Sequence, residues 1–470
     1  MKKIVVAILA LLLSFTAFSQ NITNKFSGNW LGTLNVGTTK LRIGLNIRDS
    51  AGILGAFLMS PDQGVMHIGV DKTEIINDTL KIISKTISAT FKGTLKDEND
   101  SLKGFWNQGR KFPLTFARVE KLPEMIRPQE PKKPFPYIEE EVSFINEKAG
   151  IEFSGTLTLP STGDNFTAVI LVSGSGPQNR DEEILGHKPF LVIANHLTSN
   201  GFAVLRYDDR GTGKSKGVFS TATTEEFLED AEAAFKFLQN DNRINHQRIG
   251  IAGHSEGGLI APMAAAKNNN VAFVIMLAGP GLSGKEILIL QSELIARADS
   301  TPEAEIKKNT ELNKKIYEIA IKEKDDKKAA EKMRVLIDDY WKTLSPETIE
   351  KLGADKKMLV QGIYQIISPW FRYFLSYDPK NVLTKITCPV LAMNGSRDLQ
   401  VPAKQNLAAI ENYLKKAGNK NFKIKEFEGL NHLFQHSGTG SPTEYITIEE
   451  TFSSEALDFM TQWLRNLSSK

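Results

Sequence analysis

Two windows of the chain spell G-x-S-x-G: Gly253-His254-Ser255-Glu256-Gly257 and Gly213-Lys214-Ser215-Lys216-Gly217. A serine hydroxyl becomes a nucleophile only where a tight turn exposes it and a base can take its proton. The first window follows the apolar run Arg248-Ile-Gly-Ile-Ala252 and leads into Gly258-Leu-Ile-Ala-Pro-Met-Ala-Ala-Ala266, which suits a helix. Strand, elbow and helix form the context in which such a serine works, with its oxygen at a helix N-terminus that favours developing negative charge. The second window lacks that context: its preceding strand stops at Tyr207, polar sequence follows, and Ser215 reads as a loop residue. The same stretch approaches a phosphate-binding loop, but Asp208 stands where the first glycine belongs, so nucleotide binding is set aside.

A serine nucleophile requires a base, and the base an orienting acid, in the chain order Ser, acid, His. Asp398 lies just past the buried run Pro389-Val-Leu-Ala-Met393, and His432 follows the alternating run Phe422-Lys-Ile-Lys-Glu-Phe427. Alone, Asp398 reads equally well as a turn residue and His432 as a surface histidine. In order, each after a strand, they are the candidate acid and base for Ser255. Two main-chain donors must hold the oxyanion. One is the N–H of Glu256; the other belongs to Ser173-Gly174-Ser175-Gly176-Pro177, with Ser175 the first choice and Gly176 the second. His436, four residues after His432, invites a metal reading, but no H-E-x-x-H glutamate accompanies it, and the expectation is no metal and no cofactor. His254 is expected to pack or bond locally inside the elbow.

The elements around these residues divide the chain. Residues 20–120 show short period-two runs such as Leu41-Arg-Ile-Gly-Leu-Asn-Ile47, which predict a small antiparallel β barrel or sandwich. Within them Phe26-Ser-Gly-Asn-Trp30 and Leu102-Lys-Gly-Phe-Trp106 echo one another, as an internal repeat or as two similar edge hairpins. Five prolines between 123 and 136 mark a linker over 121–137. From 138 to 470, continuous apolar runs at 168–172, 203–207, 249–252, 273–277 and 389–393 alternate with helical periodicity. This predicts an α/β doubly wound, mostly parallel sheet. A Lys- and Glu-rich helical insertion at 284–378 is placed as a cap over the strand ends. Its segment Ser368-Pro-Trp-Phe-Arg-Tyr-Phe-Leu-Ser-Tyr377 is either a helix packed on the sheet edge or the wall of an acyl or aryl pocket.

At this point the chain from 138 to 470 resembles the α/β-hydrolase superfamily, and more narrowly the dienelactone-hydrolase-like and serine aminopeptidase-like bacterial esterases. The residues that carry the likeness are 172–181, Tyr207-Asp-Asp-Arg-Gly-Thr-Gly-Lys-Ser215, Gly253-His-Ser-Glu-Gly257, Asn394-Gly-Ser-Arg-Asp398 and Gly429-Leu-Asn-His432. The resemblance implies an α/β-hydrolase fold with nucleophile Ser255, acid Asp398 and base His432. One departure is Ser173-Gly174 where members often have His-Gly. The donor there is a main-chain group, so the hole survives, but the substrate class does not carry over. Asp208-Asp209-Arg210 reads as a buried, ion-paired loop that shapes the site.

Three functions follow as expectations. The first is hydrolysis of carboxylic esters through an acyl-enzyme. The second is a peptidase or amidase using the same residues, with Asp181-Glu182-Glu183 offering charge to an ammonium group. The third is a binding protein on an inactive scaffold, with Trp30 and Trp106 as glycan platforms or, more commonly, as core.

Composition narrows the partners. The 470 residues carry 58 Lys and Arg against 55 Asp and Glu, a net charge of +3 with no global field to hold nucleic acid. The single cysteine, Cys388, excludes an intramolecular disulfide and any cysteine-based metal site. Residues 1–19 pair Lys2 and Lys3 with an apolar run of about 15 residues, short of the about 20 needed to span a bilayer. Ala17 and Ser19 then fit a signal-peptide cleavage site, so export to the periplasm or the exterior is expected, without a membrane span in the mature chain. The partner expected is a small-molecule or acyl-ester substrate.

Overall fold

The computed structural model describes residues 25–468 apart from positions 38, 51–52, 77, 97, 99, 125–126, 346–348 and 350–355; the leader expected over 1–19 lies outside the described residues. The chain forms two compact units, one ending at Ile126 and the other beginning at Arg127.

The first unit is one nine-stranded antiparallel sheet of β1 (Gly28–Val36), β2 (Thr39–Ser50), β3 (Ile53–Ser60), β4 (Val65–Gly69), β5 (Lys72–Ile76), β6 (Thr79–Ser84), β7 (Ala89–Lys96), β8 (Ser101–Gln108) and β9 (Arg110–Val119), ordered β4-β3-β2-β1-β9-β8-β7-β6-β5. Alternation along strands such as β6 (Thr79–Ser84) buries every second residue. The sheet curls so that these residues meet in a single core around Trp30, Leu45, Phe91 and Phe116. Trp30 and Trp106 are both buried there. The Trp30 indole donates to the Phe26 carbonyl at 2.9 Å, beneath the Arg118 guanidinium 4.1 Å away. Neither ring is a glycan platform. Their strands, β1 and β8 (Ser101–Gln108), flank β9 in the interior of the sheet, so the echoing segments are not edge hairpins.

The second unit has an α/β-hydrolase fold. Its eight strands are β10 (Tyr137–Asn146), β11 (Ile151–Pro160), β12 (Phe166–Val172), β13 (Ala203–Tyr207), β14 (Ile244–His254), β15 (Val274–Leu277), β16 (Val390–Gly395) and β17 (Phe422–Phe427), ordered β10-β11-β13-β12-β14-β15-β16-β17 and parallel from β13 to β17. The two strands β10 and β11 (Ile151–Pro160) add an antiparallel edge.

The continuous apolar strands are explained by two cores. In β12 (Phe166–Val172), Ala168, Ile170 and Val172 face one core, while Val169 and Leu171 face the other. Burying each Val, Leu or Ile side chain contributes roughly 1.5–3 kcal/mol, so such a strand is stable only when covered on both faces. Helices Thr224–Gln239, Gly257–Lys267 and Ala403–Lys416 cover the first face, and Pro189–Ser199 and Ser454–Ser468 the second. The chain leaves β12 toward β13 and then crosses back to β14 (Ile244–His254) on the other side. This reversal makes β12 the switch point where a crevice opens at the strand C-termini.

Between β15 (Val274–Leu277) and β16 (Val390–Gly395), helices from Gly284 to Ser376 form the cap around their own core, which includes Ile316, Tyr317, Met333 and Ile363. Ser283 and Glu286 close a capping box at its entry, satisfying the first helical N–H groups. No described helix is long and apolar enough to cross a membrane.

Candidate active site

The elbow is built by steric necessity. Ser255 sits at φ +52°, a left-handed conformation that a non-glycine residue adopts only when its surroundings enforce it. Its N–H donates to the Leu277 carbonyl at 2.8 Å. A Cβ on Gly253 would lie 1.9 Å from the Gly257 carbonyl oxygen, and one on Gly257 would lie 2.1 Å from that of Val172. The two motif glycines are therefore required for the close passage of three backbones.

A cavity of about 230 Å³ opens over the elbow. It is lined by Ser255 and His432, by Ser175 and Glu256, and by apolar side chains including Ile287 and Leu433. His432 Nδ1 lies 2.8 Å from Asp398 Oδ2, with both side chains buried. Asp398 Oδ1 accepts the N–H groups of Gln400 and Val401 at 2.8 Å each, which fixes the carboxylate in the turn after β16. The structure thus brings Ser255 and His432 to one cavity and joins His432 to Asp398. The main-chain N–H groups of Ser175 and Glu256 have no internal hydrogen bond among the described residues, and both residues line the cavity, whereas Gly176 does not.

The loop after β12 is held by buried carboxylates. Asp209 accepts the Ser173 hydroxyl at 2.8 Å on Oδ1 and the Gln178 N–H at 2.9 Å on Oδ2, clamping both ends of the Ser175 turn. Burial pushes Asp209 up to about 8 against those hydrogen bonds, and Glu182 and Glu256 add to the rise. Its neighbours are ion-paired: Asp208 with Arg180, and Arg210 with Asp230. Glu256 contributes more than its N–H. Its carboxyl group is fully buried and raised by that burial, and Oε1 accepts from Thr224 Oγ1 at 2.6 Å and Trp370 Nε1 at 2.8 Å.

The aromatic segment divides its duties. Trp370 and Phe374 line the cavity, Tyr373 and Tyr377 pack on the sheet core, and Phe371 packs in the cap core. Ser215 donates to the Asp208 carbonyl at 2.7 Å and accepts the Ser154 N–H at 3.0 Å, so its hydroxyl is fully occupied inside a loop. His436 is exposed and pairs with Glu450 at 2.8 Å, while His432 pairs with Asp398. Among the described residues, no group of three or more His, Cys, Asp or Glu could hold a metal ion.

Sequence reasoning missed His254 and Glu182 as a pair. His254 Nδ1 lies 2.9 Å from Glu182 Oε1, 72 positions away in sequence. Only the fold reveals the contact, because neither residue sits in a spacing that marks the other.

The profile of the family described as serine aminopeptidase, S33, matches residues 188–436, more than half of the chain. Esterase EstD of Thermotoga maritima is 26% identical over 454 residues, covering 95% of this chain and 93% of that protein. The uncharacterized protein YfhR of Escherichia coli O157:H7 is 30% identical over 147 residues, 30% of this chain and 48% of that protein. Among solved structures, the Pyrococcus furiosus esterase Pf2001 covers 73% of this chain and 98% of its own, with a TM-score of 0.42 and 15% identity. With its elbow on an α/β-hydrolase sheet and the profile spanning most of that unit, the chain belongs to the serine aminopeptidase (S33) family of α/β-hydrolase serine hydrolases.

Proposed function

We propose that the protein is an exported carboxylic ester hydrolase that works through an acyl-enzyme. Ser255 attacks the ester carbonyl carbon while His432 Nε2 takes its proton; the tetrahedral oxyanion is held by the N–H groups of Ser175 and Glu256. Collapse expels the alcohol, which receives the proton from His432, and water then repeats the sequence to release the acid. Asp398, bonded to Nδ1, fixes the tautomer that leaves Nε2 free to accept, and stabilises the imidazolium that forms. The observation that carries this reading is the 2.8 Å His432–Asp398 bond on the wall of a cavity that the strained Ser255 also lines.

The acid side of the substrate is small. A cavity of about 230 Å³ walled by Trp370, Phe374, Ile287 and Leu433 suits a short acyl or aryl group. The alternative is cleavage of aminoacyl amides, as the family description suggests. It requires a free carboxylate for the substrate ammonium; Asp181 is engaged by Arg206 and Glu182 by His254 and Gly174, while Glu183 is exposed and outside the cavity lining, with one oxygen on the Asn179 amide. That arrangement favours the ester.

A serine-directed fluorophosphonate probe followed by kinetics on p-nitrophenyl esters and aminoacyl anilides tests both points. Labelling at Ser255 with turnover confined to esters is expected. Turnover of anilides in preference to esters overturns the ester reading, and labelling at another serine overturns the site.

A further inference from the structure

His254 ends β14 directly before Ser255, and its ring is buried. Nδ1 lies 2.9 Å from Glu182 Oε1, and Nε2 lies 3.0 Å from the main-chain carbonyl oxygen of His432. Both partners are acceptors. A neutral imidazole carries one N–H, so it would press a lone pair against one of these oxygens; only the imidazolium donates to both. The counter-charge is at hand, because the Glu182 carboxylate is equally buried, and its Oε1 also accepts the Gly174 N–H at 2.7 Å.

We propose that His254 and Glu182 form an ionised pair that persists through the neutral pH range and acts as a positioning unit, tying the oxyanion loop and the base loop to the nucleophile strand. The proposal rests on the roles given above to Ser255 and His432. Three segments converge on the pair: the loop after β12 through Gly174, the end of β14 through His254 itself, and the loop after β17 through the His432 carbonyl. Neither residue needs to touch the reacting atoms. Burial opposes the charge on His254, but the Glu182 carboxylate, the His432 carbonyl and Asp398 together raise it above the ordinary histidine value.

The charged and titratable groups facing this region are Asp398 against His432, Glu182 against His254, and Asp209 and Glu256 beneath the same loop; Tyr445 lies beyond, its hydroxyl accepting from Gln400. The His254 and His432 ring centroids are 4.8 Å apart. The imidazolium that forms on His432 during turnover therefore develops beside a cation, and it is tolerated because Glu182 balances His254 and Asp398 balances His432. Substituting Glu182→Gln removes the counter-charge. The carboxylate then no longer offsets the burial of His254, which favours the neutral ring; its single N–H can stay on Nε2 and donate to the His432 carbonyl while the introduced amide donates to Nδ1.

The test combines a direct and a functional readout. In protein labelled with 15N-histidine, with His254→Gln used for assignment, the NMR signals of His254 should be those of a doubly protonated ring at pH 7 in wild type. In Glu182→Gln they should be those of a singly protonated ring at the same pH. In parallel, kcat/KM of wild type on a p-nitrophenyl ester should fall at alkaline pH, by roughly tenfold, as His254 loses its proton and turns a lone pair on an acceptor, whereas Glu182→Gln, whose neutral ring is satisfied on both sides, should lack that limb, with KM little changed. A merely structural role would lower activity evenly across pH. A neutral His254 in wild type at pH 7 overturns the proposal, as does a Glu182→Gln profile parallel to wild type. Should Glu182→Gln fail to fold, the wild-type titration alone decides. Full activity in Ser255→Ala would overturn the nucleophile assignment while leaving the ionisation of His254 readable, so the two failures are distinguishable.

Discussion

Trp370 Nε1 donates to Glu256 Oε1 at 2.8 Å, joining a cap helix to the residue directly after Ser255. The indole also stacks on Phe374, with centroids 5.5 Å apart, and the two rings close one side of the cavity. Trp370→Ala should open that side. Across p-nitrophenyl esters from acetate to decanoate, the optimum should move to longer chains, by about tenfold in the ratio of octanoate to acetate kcat/KM, since each methylene in an apolar pocket is worth about 1–3 kcal/mol. An unchanged chain-length profile would remove Trp370 from the acyl site.

Ser255→Ala should abolish turnover and probe labelling, while Ser215→Ala should turn over normally. The Ser215 hydroxyl bridges Asp208 and Ser154 inside a loop, so its loss should appear as about 1–3 kcal/mol of stability in chemical denaturation. Labelling that survives Ser255→Ala and vanishes in Ser215→Ala would reverse the two assignments.

Asp209 should make stability depend on pH. Burial lifts its pKa from 3.8 to about 8, so the native state keeps a proton that the unfolded chain has released. Between these values the native state binds more protons, and its stability contribution, fully present below about pH 4, is lost as pH rises through about 8. Urea unfolding of wild type and Asp209→Asn at pH 5, 6.5 and 8 should show wild type losing stability relative to the variant as pH rises. Parallel curves would mean that Asp209 is ionised in the native state.

Residues 127–470 should fold and hydrolyse simple esters without the β unit, because every residue assigned above lies from Arg127 onward. The start point matters. Arg127 donates to the carbonyls of Leu185, Ile446 and Ile448, and Gln129 bonds Thr451 and Phe452. A fragment starting at 138 loses these bonds and should melt at lower temperature than one starting at 127. A monodisperse 127–470 fragment devoid of esterase activity would assign the β unit a part in the reaction.

Much of the hydrolase unit was legible because its signals are local. The elbow glycines announce a crowded turn, and continuous apolar runs announce strands covered on both faces. Ser255 and Asp398 each follow such a strand and His432 follows an alternating one, so chain order singles them out as candidates. Local pattern also predicted a β unit before residue 121, since period-two alternation follows from the pleat.

Tertiary structure decided what depends on convergence. Whether Trp30 and Trp106 face a core or a glycan, and which rings of 369–376 face the cavity, turns on the curl of a sheet and the rotation of a helix, which residue order leaves open. Glu182 meets His254 only because the switch at β12 brings the loop after it against the end of β14. Glu256 was named for its N–H, yet its carboxyl holds Trp370 from the cap. Hydrogen bonds and ion pairs act over a few ångströms in space, so partners distant in sequence become neighbours only once the chain is folded.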